Sequence, residues 1–270
     1  METGLADKTV VVTGATANIG RAIALQMASE GARVVAVGRD HEAGAQVIDD
    51  CLKRGARQAV FVPIDLRDAD AGDRLLDAAE KACGPIDVLV NNVGGNVSIG
   101  PFVESDPSTW ISDLDITLLT MLRATRAILP GMVARGTGCI INIGSTAGTV
   151  GDQMLAVYSA AKGAVHTFTK VLAKEVGLSG VRVNVVAPYA TLTDDPGALS
   201  KGSRFHEGGF FEAAFAKLNS EQMARLHRTG PLSRTIAKPD EVASAVVYLA
   251  SDHAGFITGQ VFHVDGGVLL

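Results

Sequence analysis

The stretch VYSAAKGAV, residues 157–165, places a phenol and an ammonium four residues apart with nothing larger than serine or alanine between them. In a helix, positions i and i+4 lie one above the other, so Tyr158 and Lys162 share a face. A free tyrosine ionises near pH 10 and is a poor base at neutral pH, whereas a neighbouring cation favours the phenolate. Such a pair is a general acid/base group tuned toward the working pH. Ser145 closes an apolar run, CIINIGS, thirteen residues before the tyrosine. Its hydroxyl suits a hydrogen bond to a substrate oxygen on which charge develops. By itself Tyr-x-x-x-Lys is a weak motif, and an idle exposed helix pair satisfies it equally. The elements around it decide.

Those elements alternate. Val/Ile-rich runs (TVVVTG, RVVAVG, QAVFVPIDL, IDVLVNN) are each followed by an amphipathic stretch, and the pattern continues through GCIINIGS and VRVNVVAP to GQVFHVDGG. Continuous apolar strands between helical periods predict an α/β protein: a Rossmann doubly wound parallel sheet of about seven strands with helices on both faces. One domain spans 1–270. Gly14, Gly38, Asp65, Asn91, Ser145 and Pro188 fall at the carboxyl ends of strands, where such sheets bind ligands. After the first strand, TGATANIG opens a helix, and a glycine turn at a helix N-terminus suits a pyrophosphate. Residues 193–230, long and without a strand pattern, predict a helical flap over the substrate.

Composition narrows the class. A chain of 270 residues, 47% hydrophobic and 20% charged, supports one sizeable core. A net charge of -5 and scattered basic residues exclude a nucleic-acid footprint. Cys51, Cys83 and Cys139 are odd in number and widely spaced, fitting neither a disulfide framework nor a zinc site, and the histidines lack ligand spacing, so no metal is expected. With no leader-like segment, and with no apolar run approaching the ~18 residues of a membrane span, a cytoplasmic protein without membrane contact is expected.

The ordered set of motifs resembles the short-chain dehydrogenase/reductase family. Thr13, Gly14 and Gly20 match its glycine motif, with Asn18 at the middle glycine, a residue that tolerates left-handed backbone. Asn91, Asn92, Val93 and Gly94 stand where the family carries N-N-A-G, and GQVFHVDGG matches its carboxyl-terminal signature. The resemblance covers essentially the whole chain and implies hydride transfer between a nicotinamide cofactor and a ketone or secondary alcohol. It implies that Ser145, Tyr158 and Lys162 form the catalytic set, with Lys162 also holding the nicotinamide ribose. Thr117 stands where the family has an asparagine in a water-mediated proton relay. The implied cofactor contacts are Thr13, Gly14, Thr16, Asn18, Ile19, Gly20, Arg39, Asp65 (adenine), Leu66, Asn92, Gly94, Tyr158, Lys162, Pro188, Thr191 and Thr193. Relatives are commonly homotetramers, and the helices around LLTMLRATRAILPGM and AVHTFTKVLAKEV are the expected contacts.

Two choices remain at the residue level. Where NAD enzymes carry an acid at the end of the second strand, this chain has Gly38 and then Arg39, which favours NADP, because a guanidinium suits the extra phosphate. NAD is the alternative, with Asp40 folding back toward the ribose. The substrate is expected among Gly95, Asn96, Gln153, Tyr189 and Phe210, with Val97, Phe205, Phe211 and Phe215 as further apolar wall, which suits a cyclic or aromatic ketone or alcohol. The same phenylalanines could simply pack the flap. Arg204 and His206 either bind an anionic group or face water. The rival readings are an NAD-dependent dehydrogenase of cyclic alcohols or dihydrodiols and a non-catalytic cofactor-binding protein.

Overall fold

The computed structural model describes residues 2–206, 208–232 and 234–270. Among these residues, seven parallel strands form one sheet: β1 (Thr9–Thr13), β2 (Arg33–Gly38), β3 (Gln58–Pro63), β4 (Val88–Asn91), β5 (Gly138–Ile143), β6 (Val181–Pro188) and β7 (Val261–Val264). Their order is β3-β2-β1-β4-β5-β6-β7, so the winding reverses between β1 and β4, and a crevice opens at the strands' carboxyl ends. The expected sheet is the observed one.

Side chains alternate across each strand, and helices cover both faces. Val10, Val12, Val34, Ala36 and Ile141 pack under α1 (Asn18–Ser29), α2 (His41–Lys53) and α10 (Pro239–Ala250). Val11, Val35, Leu89 and Ile140 pack under α3 (Ala71–Cys83), α5 (Thr120–Arg135) and α7 (Ala156–Val176). Both faces are dry, which is why the strands read as unbroken apolar runs. The three cysteines are free and buried. Cys51 and Cys139 lie in the first layer of packing and Cys83 in the second. Burial pushes their thiols up, Cys51 to about 12 and Cys139 to about 11.

The expectation that no apolar run reaches membrane length needs correction. Helix α4 (Pro107–Leu114), a π-helical turn (Asp115–Leu119) and α5 run on as one helical stretch, Pro107–Arg135, containing an 18-residue window of mean hydropathy 1.3 that meets a span's length and composition. Here Ala124, Ile128 and Met132 of α5 instead enter the core beneath the sheet.

A buried polar chain fixes α5 and α7 on the strand ends. The Asn91 amide donates to Thr125 Oγ1 (3.0 Å) and to Asn142 Oδ1 (2.9 Å), and the Asn142 amide donates to Thr169 Oγ1 (2.8 Å). In a low-dielectric interior such linked bonds are strong and directional. They place the helix carrying Tyr158 relative to β4 and β5. A short helix, α6 (Ala147–Val150), leads from β5 toward α7. In the flap region, residues 193–230, only short helical pieces form: a turn at Pro196–Ala198, α8 (Phe210–Phe215) and α9 (Ser220–Leu226).

Candidate active site

A cavity of about 770 Å³ opens along the carboxyl ends of the strands, from the glycine turn to the flap. At one end β1 breaks into the turn. Gly14 has φ +63° and Asn18 φ +46°, the left-handed region that asparagine tolerates. A Cβ on Gly20 would lie 2.1 Å from the Gly14 carbonyl, so the close approach requires glycine. Helix α1 has Ala17 at its N-cap, which supplies no side-chain acceptor, so its first N–H groups are left for an external anion.

The Asn18 amide donates to Thr191 O (3.1 Å), while its buried Oδ1 has no partner among the described residues and is free to accept from a ligand. Thr13 stands behind the turn rather than in the cavity. Its hydroxyl accepts from the backbone N–H groups of Asn92 (2.9 Å) and Val93 (3.2 Å), and the Asn92 amide donates back to Thr13 O (2.9 Å) and Gly14 O (3.1 Å). These residues lace β1 to β4. Thr16, Asn18, Ile19, Gly20, Arg39, Asp65, Leu66, Asn92, Gly94, Pro188 and Thr191 all line the cavity; Thr193 does not, and its hydroxyl caps the local turn at Asp195. A dinucleotide fits this wall: a glycine cradle, an uncapped helix end and an orphaned acceptor.

At the ends of β2 and β3, Asp65 receives Arg67, with Arg39 3.6 Å away. The hydrogen bond from Arg67 holds the Asp65 carboxyl down at about 2. Two guanidinium groups therefore share one carboxylate. Asp40 also lines the cavity, and its carboxylate accepts from Ala43 N (3.1 Å) as the cap of α2 and from Lys201 N (3.2 Å) of the flap. A Cβ on Gly38 would meet Thr16 Cγ2 at 2.7 Å.

Ser145, Tyr158 and Lys162 line the same cavity. Ser145 Oγ accepts from Ala147 N (3.1 Å). Lys162 is buried, its Nζ donates to Ile143 O (2.6 Å) and lies 5.8 Å from the Tyr158 ring centroid. A Cβ on Gly94 would come within 3.0 Å of that Nζ. In the protein without a bound nucleotide, burial dominates the ionisation of both groups. Burial pushes Tyr158 up to about 12; its hydrogen bond with Ser145 and the charge of Arg204 oppose the rise, while Asp152 adds to it. Burial also pulls Lys162 down to about 8. Desolvation is thus the largest influence on the phenol and the one acting on the ammonium.

Thr117 makes its contacts with backbone. It sits in the π-helical turn, outside the cavity wall, and its hydroxyl donates to Gly95 O (2.7 Å) while accepting from Gly95 N (3.1 Å). Its one donor is used on backbone, so it clamps the loop at Gly95.

On the substrate side, Gly95, Asn96, Tyr189, Phe205, Phe210 and Phe211 line the cavity. Gln153 is exposed on a turn outside it, and Phe215 stacks behind Phe211, so both leave the expected wall. Tyr189 does not project its hydroxyl at a substrate: it donates to Leu226 O (3.2 Å) and accepts from Arg228 N (2.8 Å), tying β6 to the end of the flap. Leu155, expected on this wall with Gln153, does line the cavity, whereas Arg67 was marked by no motif. Arg67 was findable all the same, two residues beyond Asp65 at the same strand end.

Comparison with known proteins agrees with this geometry. A family model described as short chain dehydrogenase matches residues 8–202. The 3-oxoacyl-[acyl-carrier-protein] reductase FabG of Vibrio harveyi is 35% identical, with 98% of this chain and 99% of that protein covered. The cis-4-hydroxycyclohexanecarboxylate dehydrogenase of Sinomonas cyclohexanicum is 35% identical over 99% and 98%. The 2,3-dihydro-2,3-dihydroxybenzoate dehydrogenase of Bacillus subtilis is 33% identical over 99% and 98%. A solved short chain dehydrogenase/reductase family protein superposes with a TM-score of 0.79 at 35% identity, covering 99% of this chain and 98% of that one.

Proposed function

The chain belongs to the short-chain dehydrogenase/reductase family, whose members are NAD(P)-dependent oxidoreductases of CH–OH and C=O groups, and from that premise we propose that it interconverts cyclic or aromatic ketones and their secondary alcohols with NADP(H). The observation that carries this reading is the meeting of Ser145, Tyr158 and Lys162 in one cavity whose far end is the glycine turn. When bound, the nicotinamide supplies or accepts the hydride at the carbon. The protein handles the proton. Tyr158, held protonated by burial, donates it to the carbonyl oxygen in reduction and recovers it from the carbinol in oxidation. Ser145 donates a hydrogen bond to the same oxygen, and Lys162 holds the ribose and favours the phenolate as it forms.

Three observations support NADP over NAD. Asp40 is occupied by Ala43 and Lys201, Gly38 leaves no room for an acid without moving Thr16, and Arg39 shares Asp65 with Arg67, leaving surplus positive charge at that corner. A ring substrate is supported by the phenylalanine wall and by the ring alcohols in the names of two relatives. The open apolar side chains Ile111, Val133 and Val171 of α4, α5 and α7 support assembly as a homotetramer, and three free thiols suit the reducing cytoplasm. Light scattering checks the assembly, and a monomer contradicts it.

The test is a panel of cyclic ketones, aromatic ketones and a 3-oxoacyl thioester, assayed with NADPH and NADH against wild type and Tyr158→Phe. Turnover of ring ketones with NADPH, abolished in the variant, is expected. A strong NADH preference overturns the cofactor assignment. Equal inactivity of both proteins on every substrate overturns the catalytic one and leaves a non-catalytic binder.

A further inference from the structure

Arg204 lies in the flap between Pro196–Ala198 and α8, and its half-buried side chain turns inward to line the cavity. Its guanidinium lies against the loop after β4, where a Cβ on Gly95 would stand 2.6 Å from Nε and push the arginine from this position. On its other side Cζ is 5.1 Å from the Phe210 ring centroid. It shares electrostatic influence with Tyr158, so it acts on the reacting end of the cavity.

Its surroundings differ from those of the other arginines in this wall. Arg39 and Arg67 face Asp65, and Arg228 beyond them pairs with Asp152 at 2.9 Å. Among the described residues, no carboxylate comes within ion-pair distance of Arg204. The acid nearest in effect, Asp113, accepts a hydrogen bond from Val97 N, and its own burial raises its carboxyl. A desolvated cation without a counter-ion is costly to hold, and burial pulls the Arg204 guanidinium downward. A ligand that brings an anion removes that cost. The planar fork of the guanidinium matches a carboxylate in bidentate fashion, and the stacked rings of Phe205 and Phe211 (4.4 Å between centroids) provide a flat apolar surface beside it.

Resting on the ketone/alcohol reading above, we propose that Arg204 is a specificity-determining residue that pairs with a carboxylate on the substrate, so that the enzyme's substrates are ring keto acids and hydroxy acids rather than neutral ketones. The carboxylate sits under the flap while Tyr158 meets the carbonyl. Substrate binding then completes an ion pair between flap and body.

Turnover of 4-oxocyclohexanecarboxylate and of its neutral counterpart 4-methylcyclohexanone, with NADPH, tests this in wild type, Arg204→Gln and Arg204→Lys. Wild type is expected to favour the acid in kcat/KM. Arg204→Gln is expected to lose about 10- to 100-fold for the acid, chiefly through KM, the scale of a charge-assisted hydrogen bond, with the neutral ketone changed less than about threefold. Arg204→Lys recovers part of the loss. Equal handling of acid and ketone by wild type, or an equal fall on both in Arg204→Gln, overturns the proposal. A weakened NADPH affinity in Arg204→Gln, read by nucleotide fluorescence, also overturns it, because it assigns the guanidinium to the cofactor.

Calorimetric binding of cyclohexanecarboxylate to the NADP-loaded protein, against neutral cyclohexanol, judges the anion site even if no ketone in the panel turns over. Preferential binding to wild type and not to Arg204→Gln supports the site. Binding without that difference overturns it. Removal of a cation that has no carboxylate partner among the described residues should leave the ligand-free melting temperature of Arg204→Gln unchanged or raised; a sharp fall marks a structural role and overturns the proposal.

Discussion

Thr117 grips Gly95 from both sides, donating to its carbonyl at 2.7 Å and accepting from its N–H at 3.1 Å, and so fixes the loop against which Arg204 lies. Thr117→Val keeps the shape and removes both bonds. Its expected cost is about 1–3 kcal/mol of stability, with a raised KM, because two backbone groups lose their partner. Thr117→Ser retains both. Thermal unfolding and substrate titration of the two variants separate hydroxyl from shape; equal melting of Val and wild type removes the clamp.

Tyr158→Phe removes the group that moves the proton. The expected loss in kcat is about 10²- to 10⁴-fold, with cofactor affinity retained. In wild type the burial that pushes the phenol up to about 12 keeps it protonated across neutral pH, so reduction is expected to be flat from pH 6 to 8 while alcohol oxidation climbs with pH. A pH-independent oxidation rate contradicts this role.

Arg39→Ala should weaken NADPH by about 10- to 100-fold while NADH changes little, since a charge-assisted hydrogen bond to phosphate is lost only from the former. Gly38→Asp alone should harm binding of both nucleotides, because its Cβ collides with Thr16 Cγ2, and the double variant with Thr16→Ser should recover NADH binding. Fluorescence titrations with each nucleotide measure all four proteins.

His166 predicts how stability responds to acid. Burial lowers it to about 4, and the charges of Lys162, His263 and Lys170 act in the same direction. The fold holds it neutral, whereas the unfolded chain takes up a proton near pH 6.5. Stability is therefore full above about pH 6.5 and declines as pH falls toward 4, by up to about 3 kcal/mol. Denaturant midpoints at pH 7 and pH 4.5 measure the loss, and His166→Leu should flatten the difference. An unchanged slope in that variant rules out His166 as its source.

What could be read from the residues was whatever a strand end or a helical turn dictates. Unbroken apolar runs announced a sheet covered on both faces, and the left-handed Asn18 could be anticipated from its side chain. The shared cavity of Ser145, Tyr158 and Lys162 followed from spacing. What could not be read was decided by distant parts of the chain. The grip of Thr117 on Gly95, 22 residues away, left no mark in its own neighbours. How strongly burial acts on Tyr158 and Lys162, raising the one and lowering the other, could not be read from their spacing. The hydrogen bond that Asp40 accepts from Lys201 N, 161 residues on, could not be foreseen either. Gln153 was given to the cavity by its nearness to Tyr158 in sequence, but its turn points outward.

The three interior thiols make the molecule its own unfolding gauge. Cys51 and Cys139 are sealed beneath one helical layer and Cys83 beneath the other, each too poorly ionised to react while covered. Maleimide capture followed by mass spectrometry would therefore time the opening of either side of the sheet separately, without any added label site.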